Sequence, residues 1–370
     1  MLPDDEEGKQ MQLGYFTMPL HPPGSDPAET LAMDLDQIVA LEELGFAEAW
    51  IGEHISSVWE NVPAPDLLIA QALAVTNRIN LGTGVNCLPN HSPLMLAQRI
   101  AQLDQMARGR FYWGIGSGGF PGDQEMMELD LANFQQRGLT REILEEVLYL
   151  WDSPAAGVRE GPRWRYRIPA RDPQIGVDLH MRPYRRPHPP IGVAGIGPKS
   201  DMLTLAGERG WIPMSINIVT TPVLKMHWQT YSESAARAGK DADRRIWRIC
   251  RDVYIGDTPE QARRDVLDGA LGRDWTDYFL PILRKTNTLM GPKVDPSMPD
   301  DAVTPEYLAE NLWIVGDADE VTAKLRKLYD DVGGFGTLLV IGHEWRRGDD
   351  WHRSMTRLAN EVLPRLPDPS

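Results

Sequence analysis

Histidine and carboxylate side chains that can transfer protons stand together at one point of the sequence. Glu53 and His54 directly follow a short β-type run over residues 47–51. A histidine at the carboxyl end of a barrel strand titrates near neutral pH and is typical of acid–base catalysis. The alternative is a structural histidine held by Glu53 or by the backbone. His343, after the last β-type run, is the second candidate, and the remaining histidines give weaker cases.

Glycine pairs recur at three strand ends, at residues 82–84, 114–116 and 195–197. Because glycine has no Cβ, the backbone at such a position can approach a ligand closely. Three pairs on one face predict a flat or phosphorylated ligand there, although any single pair is explained by a turn. Residues 114–119 also fit the GxGxxG pattern, but no helix of small and apolar residues follows them. A dinucleotide fingerprint is therefore not predicted.

A phosphate site is indicated by the segment Gly-Pro-Lys-Ser at 197–200, which precedes a predicted helix over 201–209. The free N–H groups and the dipole of a helix N-terminus stabilise an anion, and Lys199 and Ser200 add donors. The alternative is a simple Ser200 N-cap on a surface helix. Arg137 can supply a bidentate partner to the phosphate, whereas on its own it is an ordinary surface arginine.

Eight β-type runs alternate with amphipathic helical patterns along the chain. They lie at 12–16, 47–51, 79–85, 110–115, 191–194, 211–216, 246–255 and 337–341. This alternation predicts an α/β fold, a single (β/α)8 TIM barrel domain over 1–370. The long intervals after strands 4 and 7 predict insertions at about 117–189 and 271–336, and 163–167 (RWRYR) indicates a small hairpin in the first. Both insertions fall on the face of barrel active sites, as lids or as solvated decoration.

Composition excludes several classes of function. The 370 residues carry a net charge of −15, which disfavours binding to nucleic acid or to an anionic membrane surface. Neither a metal-binding spacing nor a G-x-S-x-G nucleophile elbow occurs. Two distant cysteines predict a reducing compartment. Without an apolar N-terminal segment or a run of about 18 apolar residues, the sequence predicts a cytoplasmic protein.

Three longer stretches carry a resemblance to a known family. They are 44–54 (LGFAEAWIGEH), 79–111 (beginning INLGTGVNCLPN) and 193–210 (VAGIGPKSDMLTLAGERG). Together they resemble the bacterial-luciferase-like, flavin-dependent monooxygenases. FTMPLHPP and AWIGEH are more similar to the limonene-monooxygenase-like branch than to the luciferases. The matches span most of positions 12–255 and recur at 337–341, while the insertions are unmatched.

The resemblance implies a barrel with FMN over its carboxyl face and His54 near the flavin ring. It implies a non-proline cis peptide at Gly84–Val85 beneath that ring, and a mobile lid over 271–311. The luciferases have a cysteine where this chain has Gly116, so nothing about that thiol is carried over. The residues implied to contact the cofactor are Gly84, Val85, Asn86, Gly116, Arg137, Pro198, Lys199 and Ser200.

By resemblance, reduced FMN and dioxygen form a (hydro)peroxyflavin that oxygenates a small apolar or heteroaromatic molecule. His54 manages a proton in that reaction. Since no nicotinamide site is visible, a separate flavin reductase is expected to supply reduced FMN to a homodimer. Two alternatives stay open. One is a deazaflavin-dependent hydride-transfer oxidoreductase, and the other is a non-catalytic flavin-binding partner subunit.

Overall fold

Eight parallel strands form a closed barrel in the computed structural model, which describes residues 11–129 and 135–368. They are β1 (Gln12–Thr17), β2 (Glu48–Ile51), β3 (Asn80–Thr83), β4 (Phe111–Gly116), β5 (Ile191–Gly195), β6 (Ile212–Ser215), β7 (Arg248–Arg251) and β8 (Thr337–Ile341). β1 pairs with both β2 and β8, and β3 pairs with β4, so that the ring is complete. The predicted TIM barrel and its eight strands are confirmed.

Helices surround the barrel, and several of them begin at proline, whose missing N–H costs nothing at a first helical position. They are α1 (Pro27–Glu43), α2 (Pro65–Val75), α3 (Pro93–Ala107), α4 (Pro121–Met126), α5 (Gln135–Trp151), α6 (Asp201–Arg209), α7 (Thr221–Arg237), α8 (Pro259–Asp268), α9 (Ala270–Asp274), α10 (Leu280–Lys285), α11 (Pro305–Asn311), α12 (Ala318–Val332) and α13 (Asp350–Arg357). Within the described residues, no helix is long and apolar enough to cross a membrane.

The first insertion lies between β4 and β5 and contains α4, α5 and an antiparallel hairpin. The hairpin pairs Gly157–Gly161 with Trp164–Ile168, which confirms the hairpin predicted at RWRYR. The second insertion lies between β7 and β8 and contains α8 to α12. It begins with Val253–Ile255, which pairs in parallel with Ile314–Gly316. The single strand predicted over 246–255 is therefore two strands, Arg248–Arg251 and Val253–Ile255, and only the first belongs to the barrel. Asp252 separates them, and its side chain bonds to residues of other loops.

The barrel interior is filled by Trp50, and this indole accounts for several of the glycines. A Cβ on Gly82 would lie 2.6 Å from Trp50 Cε3, and one on Gly192 would lie 2.7 Å from Cη2. A Cβ on Gly114 would lie 1.8 Å from the carbonyl oxygen of Thr83. Gly82 and Gly114 are therefore required for packing inside the barrel. We expected the glycines at these strand ends to make room for a ligand. At these two positions the space that a Cβ would take is filled by the protein itself.

A buried ion pair lies below Trp50, toward the amino ends of the strands. Arg248 Nη2 lies 3.0 Å from Glu48 Oε2, and its Nε lies 3.2 Å from Oε1. Trp50 Nε1 also donates to Glu48 Oε1, at 2.9 Å. Because the carboxylate accepts three hydrogen bonds, its burial is compensated and the indole is held in one orientation.

Candidate active site

His54 stands just after β2, at the carboxyl face of the barrel, and both of its ring nitrogens contact carboxylates. Nδ1 lies 3.0 Å from Asp123 Oδ2, and Nε2 lies 2.9 Å from Glu60 Oε2. Asp123 comes from α4 in the first insertion, whereas Glu60 lies in the loop that follows β2. The edge of the imidazole meets the ring of Phe120, with 5.1 Å between the centroids. His54 is thus fixed by groups from two separate loops.

The two carboxylates determine the charge of His54. Burial alone would lower the pKa of this histidine, but the charge of Glu60 and the hydrogen bond to Asp123 raise it to about 10. For Asp123 the effects are reversed. Burial alone would raise the pKa of its carboxyl group, but hydrogen bonds from His54 and Ser56 lower this pKa below its usual value. At neutral pH the side chain is therefore an imidazolium that donates its Nδ1–H to Asp123 and forms an ion pair with Glu60 at Nε2.

Glu53 does not hold His54, although the two residues are adjacent in sequence. Its fully buried carboxylate lies 2.8 Å from His91 Nε2 and accepts from Asn86 Nδ2 at 2.9 Å. The other end of the Asn86 amide accepts from Trp113 Nε1 at 3.1 Å. The side chain of Asn86 is therefore used entirely within the protein, beneath the loop that follows β3. The structural alternative, in which Glu53 holds His54, does not describe this site.

A non-proline cis peptide joins Gly84 to Val85, at the position that the family resemblance implies. Val85 packs against the side chains of the barrel interior and is partly exposed. A Cβ on Gly116 would lie 2.5 Å from Val85 Cγ2, and one on Gly84 would lie 2.9 Å from Trp50 Cβ. Gly84, Val85 and Gly116 are therefore neighbours that form a floor above Trp50.

The residues predicted to bind a phosphate come together at the start of α6. Ser200 is its N-cap, with the hydroxyl oxygen accepting from the N–H of Leu203 at 3.3 Å. Arg137 Nη1 lies 2.9 Å from Asp201 Oδ2, which brings the guanidinium from α5 to the first turn of α6. Pro198 and Lys199 are exposed in the loop before it. The Ser200 N-cap considered as an alternative is present, and Arg137 lies beside it.

His227 fixes the loop before α6, a role that its sequence context does not indicate. Its Nε2 donates to the carbonyl oxygen of Gly197 at 2.9 Å, and Nδ1 lies 3.0 Å from Ser215 Oγ. Burial lowers the pKa of His227 to about 4, so the ring is neutral and its Nδ1 accepts the hydroxyl proton. Because α7 supplies this histidine, the loop 196–199 is attached to the neighbouring helix as well as to β5.

His343 lies in a second histidine–carboxylate cluster rather than at an open surface. Its Nδ1 lies 2.8 Å from Asp274 Oδ2 and its Nε2 lies 3.1 Å from Asp252 Oδ1. Asp252 also accepts from Asn217 Nδ2 at 2.9 Å. Burial opposes the charge, but the two aspartates raise the pKa of His343 to about 9. The cluster connects the second insertion, through Asp274, to the ends of β7 and β8.

Sequence reasoning missed the groups that fix His54. Glu60 and Asp123 lie in segments without periodicity, and nothing in the sequence connects positions 54, 60 and 123. The one available signal is the short acidic stretch around Asp123 after β4, at the face where insertions meet a barrel site. The predicted residues and these unpredicted ones come from four different loops at the same end of the barrel.

Comparison with known proteins shows which family the chain is similar to. Residues 11–334 match the family described as luciferase-like monooxygenase. The chain is 34% identical over 366 residues to 4-hydroxyprotoasukamycin monooxygenase of Streptomyces nodosus subsp. asukaensis (97% of this chain, 93% of that protein). It is 31% identical over 368 residues to limonene 1,2-monooxygenase of Rhodococcus erythropolis (97% and 87%).

A solved structure extends the comparison to three dimensions. It is the oxygenating constituent of the 3,6-diketocamphane monooxygenase of Pseudomonas putida, a type II Baeyer-Villiger monooxygenase in complex with FMN. The two folds superpose with a TM-score of 0.89 at 31% identity, covering 97% of this chain and 100% of that one. This chain belongs to the luciferase-like monooxygenase family.

Proposed function

We propose that this protein is an FMN-dependent monooxygenase that uses dioxygen to oxygenate small apolar or heteroaromatic organic molecules. The observation that carries the proposal is the arrangement at one barrel face. There, the cis peptide floor, the His54 cation and a helix N-terminus lie on a chain 31% identical to an FMN-bound monooxygenase. When bound, reduced FMN supplies the electrons that activate dioxygen.

The residues present fit the two ends of FMN. At the phosphate end, the first turn of α6, the Ser200 hydroxyl and the cations of Lys199 and Arg137 offer a donor set suited to a dianion. At the ring end, Gly84, Val85 and Gly116 offer a closely packed floor, in which a Cβ on Gly84 would meet Trp50 and one on Gly116 would meet Val85. Pro198 shapes the loop that reaches the phosphate. In this proposal Asn86 contributes from below, by holding the floor through Glu53 and Trp113.

His54 in this proposal is a fixed positive charge rather than a free base. Both ring nitrogens face carboxylates, so the ring keeps its proton and its orientation during the reaction and is not free to act as a general base. Phe120 and the two insertions cover the ring and limit the access of water. In the presence of water, activated oxygen is released as hydrogen peroxide instead of being transferred to the substrate. Exclusion of water from the site therefore favours oxygenation of the substrate.

The supply of reduced FMN is assigned to a separate flavin reductase. The related Pseudomonas protein is named as the oxygenating constituent of its enzyme, which supports this assignment. Purified protein should therefore oxidise NADH only when a flavin reductase and FMN are added.

The two buried, unpaired cysteines suit a reducing cytoplasm.

A homodimer is supported by an apolar surface on two neighbouring helices. Leu67 and Val75 of α2 and Met95 and Met106 of α3 are each at least half exposed. Several such side chains on adjacent helices are unusual for a monomer, and exposed apolar surface of this kind suits a second copy of the chain. We therefore place the dimer interface on α2 and α3.

Rapid mixing tests the proposed reaction. The protein is loaded with photoreduced FMN and mixed with oxygenated buffer while the flavin absorbance is recorded. We expect a transient species, distinct from both reduced and oxidised FMN, whose decay accelerates with a suitable substrate. Direct return to oxidised FMN with stoichiometric peroxide would contradict the proposal. Titration with a deazaflavin cofactor would then test hydride transfer.

A further inference from the structure

A cleft of about 700 Å³ opens at the amino face of the barrel, the end opposite to His54. Its walls come from the last turns of α5 and α6 and from the segment 186–188. That segment directly precedes β5, and Trp211 directly precedes β6, so the cleft lies beside the amino ends of these two strands. Small-molecule sites in proteins have volumes of about 300–1,000 Å³. The cleft is therefore large enough for a small organic ligand and is remote from the proposed flavin site.

Trp211 lines this cleft and has an indole N–H without a hydrogen-bond partner among the residues that the structure describes. The side chain is nearly buried, at 6% exposure, so its accessible part faces the cleft. Trp151 lines the same cleft but donates its indole N–H to the Ala97 carbonyl oxygen at 2.9 Å. Because a buried tryptophan N–H usually has an acceptor, Trp211 points to a ligand acceptor in the cleft.

The cleft also presents a cation that the protein does not neutralise. Arg186 is exposed and forms no ion pair within the ranges 11–129 and 135–368, not even with Asp152, which lines the same cleft. Arg209 is already engaged, since its Nη2 lies 2.5 Å from Glu145 Oε1 and its guanidinium lies 5.7 Å from the Trp211 ring centroid. The Arg186 guanidinium is therefore the group available to an anion, and arginine binds a carboxylate through two parallel hydrogen bonds.

His188 adds an acceptor to the cleft rather than a second charge. Its Nδ1 lies 2.7 Å from the carbonyl oxygen of Pro189, so Nδ1 carries the proton and donates it. Burial lowers the pKa of His188, and the ring is neutral at pH 7. Nε2 is then a free acceptor, on a ring that meets the Trp211 indole edge-on, with 5.8 Å between centroids and an interplanar angle of 89°.

We propose that this cleft binds a small aromatic carboxylic acid. Its carboxylate contacts the Arg186 guanidinium and the Trp211 N–H, and its ring packs beside Pro187 and His188. A single unengaged cation on aromatic walls suits a planar monoanion better than a phosphate dianion. Such a ligand is neither the flavin nor the molecule that is oxygenated, because the proposed reaction takes place at the other end of the barrel. The site therefore does not depend on the function proposed above.

An NMR titration of flavin-free protein tests the site. The protein is labelled with 15N in its 12 tryptophans, and Trp211→Phe identifies the Trp211 indole signal. Benzoate is added at pH 7 to about 20 mM, and we expect this signal to shift with saturation and a Kd below about 5 mM. Arg186→Gln should weaken the binding of benzoate about tenfold or more. Arg167→Gln is the matched control, since Arg167 is also exposed and forms no ion pair with the described residues, and it should leave the Kd unchanged.

Two further probes separate the charge of the ligand from its ring. Acetate has the carboxylate without the ring, and benzyl alcohol has the ring without the charge, so each should bind at least about tenfold more weakly than benzoate. Acetate or inorganic phosphate binding as tightly as benzoate would reduce the cleft to a general anion site and overturn the proposal. A Trp211 signal that does not saturate, or a Kd unaffected by Arg186→Gln, would overturn it as well.

Discussion

Asp123→Asn should reduce the stability of the protein at neutral pH and have little effect near pH 10. The side chain of Asp123 accepts from His54 Nδ1 and from the backbone N–H groups of Ile55 and Ser56. A hydrogen bond to a charged group contributes about 1.5–3 kcal/mol, and the amide of asparagine retains part of this set. We therefore expect a loss of about 2 kcal/mol in the free energy of unfolding at pH 7.

The pH dependence follows from the direction of the shift in His54. Its pKa is raised from 6.5 to about 10, so the imidazolium stabilises the folded state fully below pH 6.5. This contribution is lost as the pH rises through the folded-state pKa, and for the whole shift it is of the order of 5 kcal/mol. The difference in the free energy of unfolding between the wild type and Asp123→Asn should therefore become smaller between pH 7 and pH 10.

Urea unfolding at pH 7, 8.5 and 10 measures this difference. Glu310→Gln is the control, since it removes a carboxylate from an exposed ion pair with Arg263 and should change stability by no more than a few tenths of a kcal/mol. A difference between the wild type and Asp123→Asn that stays constant across this range would refute the description of His54 as an imidazolium stabilised by its carboxylates.

Three further outcomes are expected. Gly82→Ala places a methyl group 2.6 Å from the Trp50 indole and should cost about 1–3 kcal/mol in denaturant unfolding, whereas Gly138→Ala, which meets no atom within 4 Å, should be neutral or stabilising. Arg137→Ala should weaken FMN binding about tenfold in a fluorescence titration while leaving the melting temperature of the apoprotein unchanged, and equal affinity would exclude this arginine from the phosphate site. If the proposed homodimer forms through α2 and α3, Leu67→Glu should give a monomer in light scattering, and a dimer that persists in this variant would place the interface elsewhere.

The barrel could be predicted from the sequence because its strands are short apolar runs at regular intervals. Each of the eight predicted runs overlaps one of the observed strands. The proximity of Arg137 to the start of α6 could also be predicted, because segments that follow different barrel strands come together on the face where the carboxyl ends of the strands lie. Both predictions rest on periodicity and on the geometry of a closed parallel sheet, and these do not depend on the details of loops.

The fine structure of the site could not be predicted because it depends on irregular segments. Glu60 and Asp123 lie in segments whose path is set by packing and not by a repeating pattern. The glycines show a different limit of sequence analysis, because the pattern is visible in the sequence but its cause is not. At Gly82 and Gly114, strand-end glycines look like a ligand signal, but the close neighbours there are Trp50 and the Thr83 carbonyl, which belong to elements distant in sequence.

The first insertion and the loop after β2 meet at His54, and this accounts for a histidine whose nitrogens are both occupied. The first insertion supplies Asp123 to Nδ1, and the loop supplies Glu60 to Nε2. A histidine that had to exchange protons in each cycle would need one nitrogen free for its partner. A buried histidine keeps its charge when carboxylates lie beside it. The first insertion therefore does more than cover the barrel, because the charge of His54 depends on a side chain that this insertion carries.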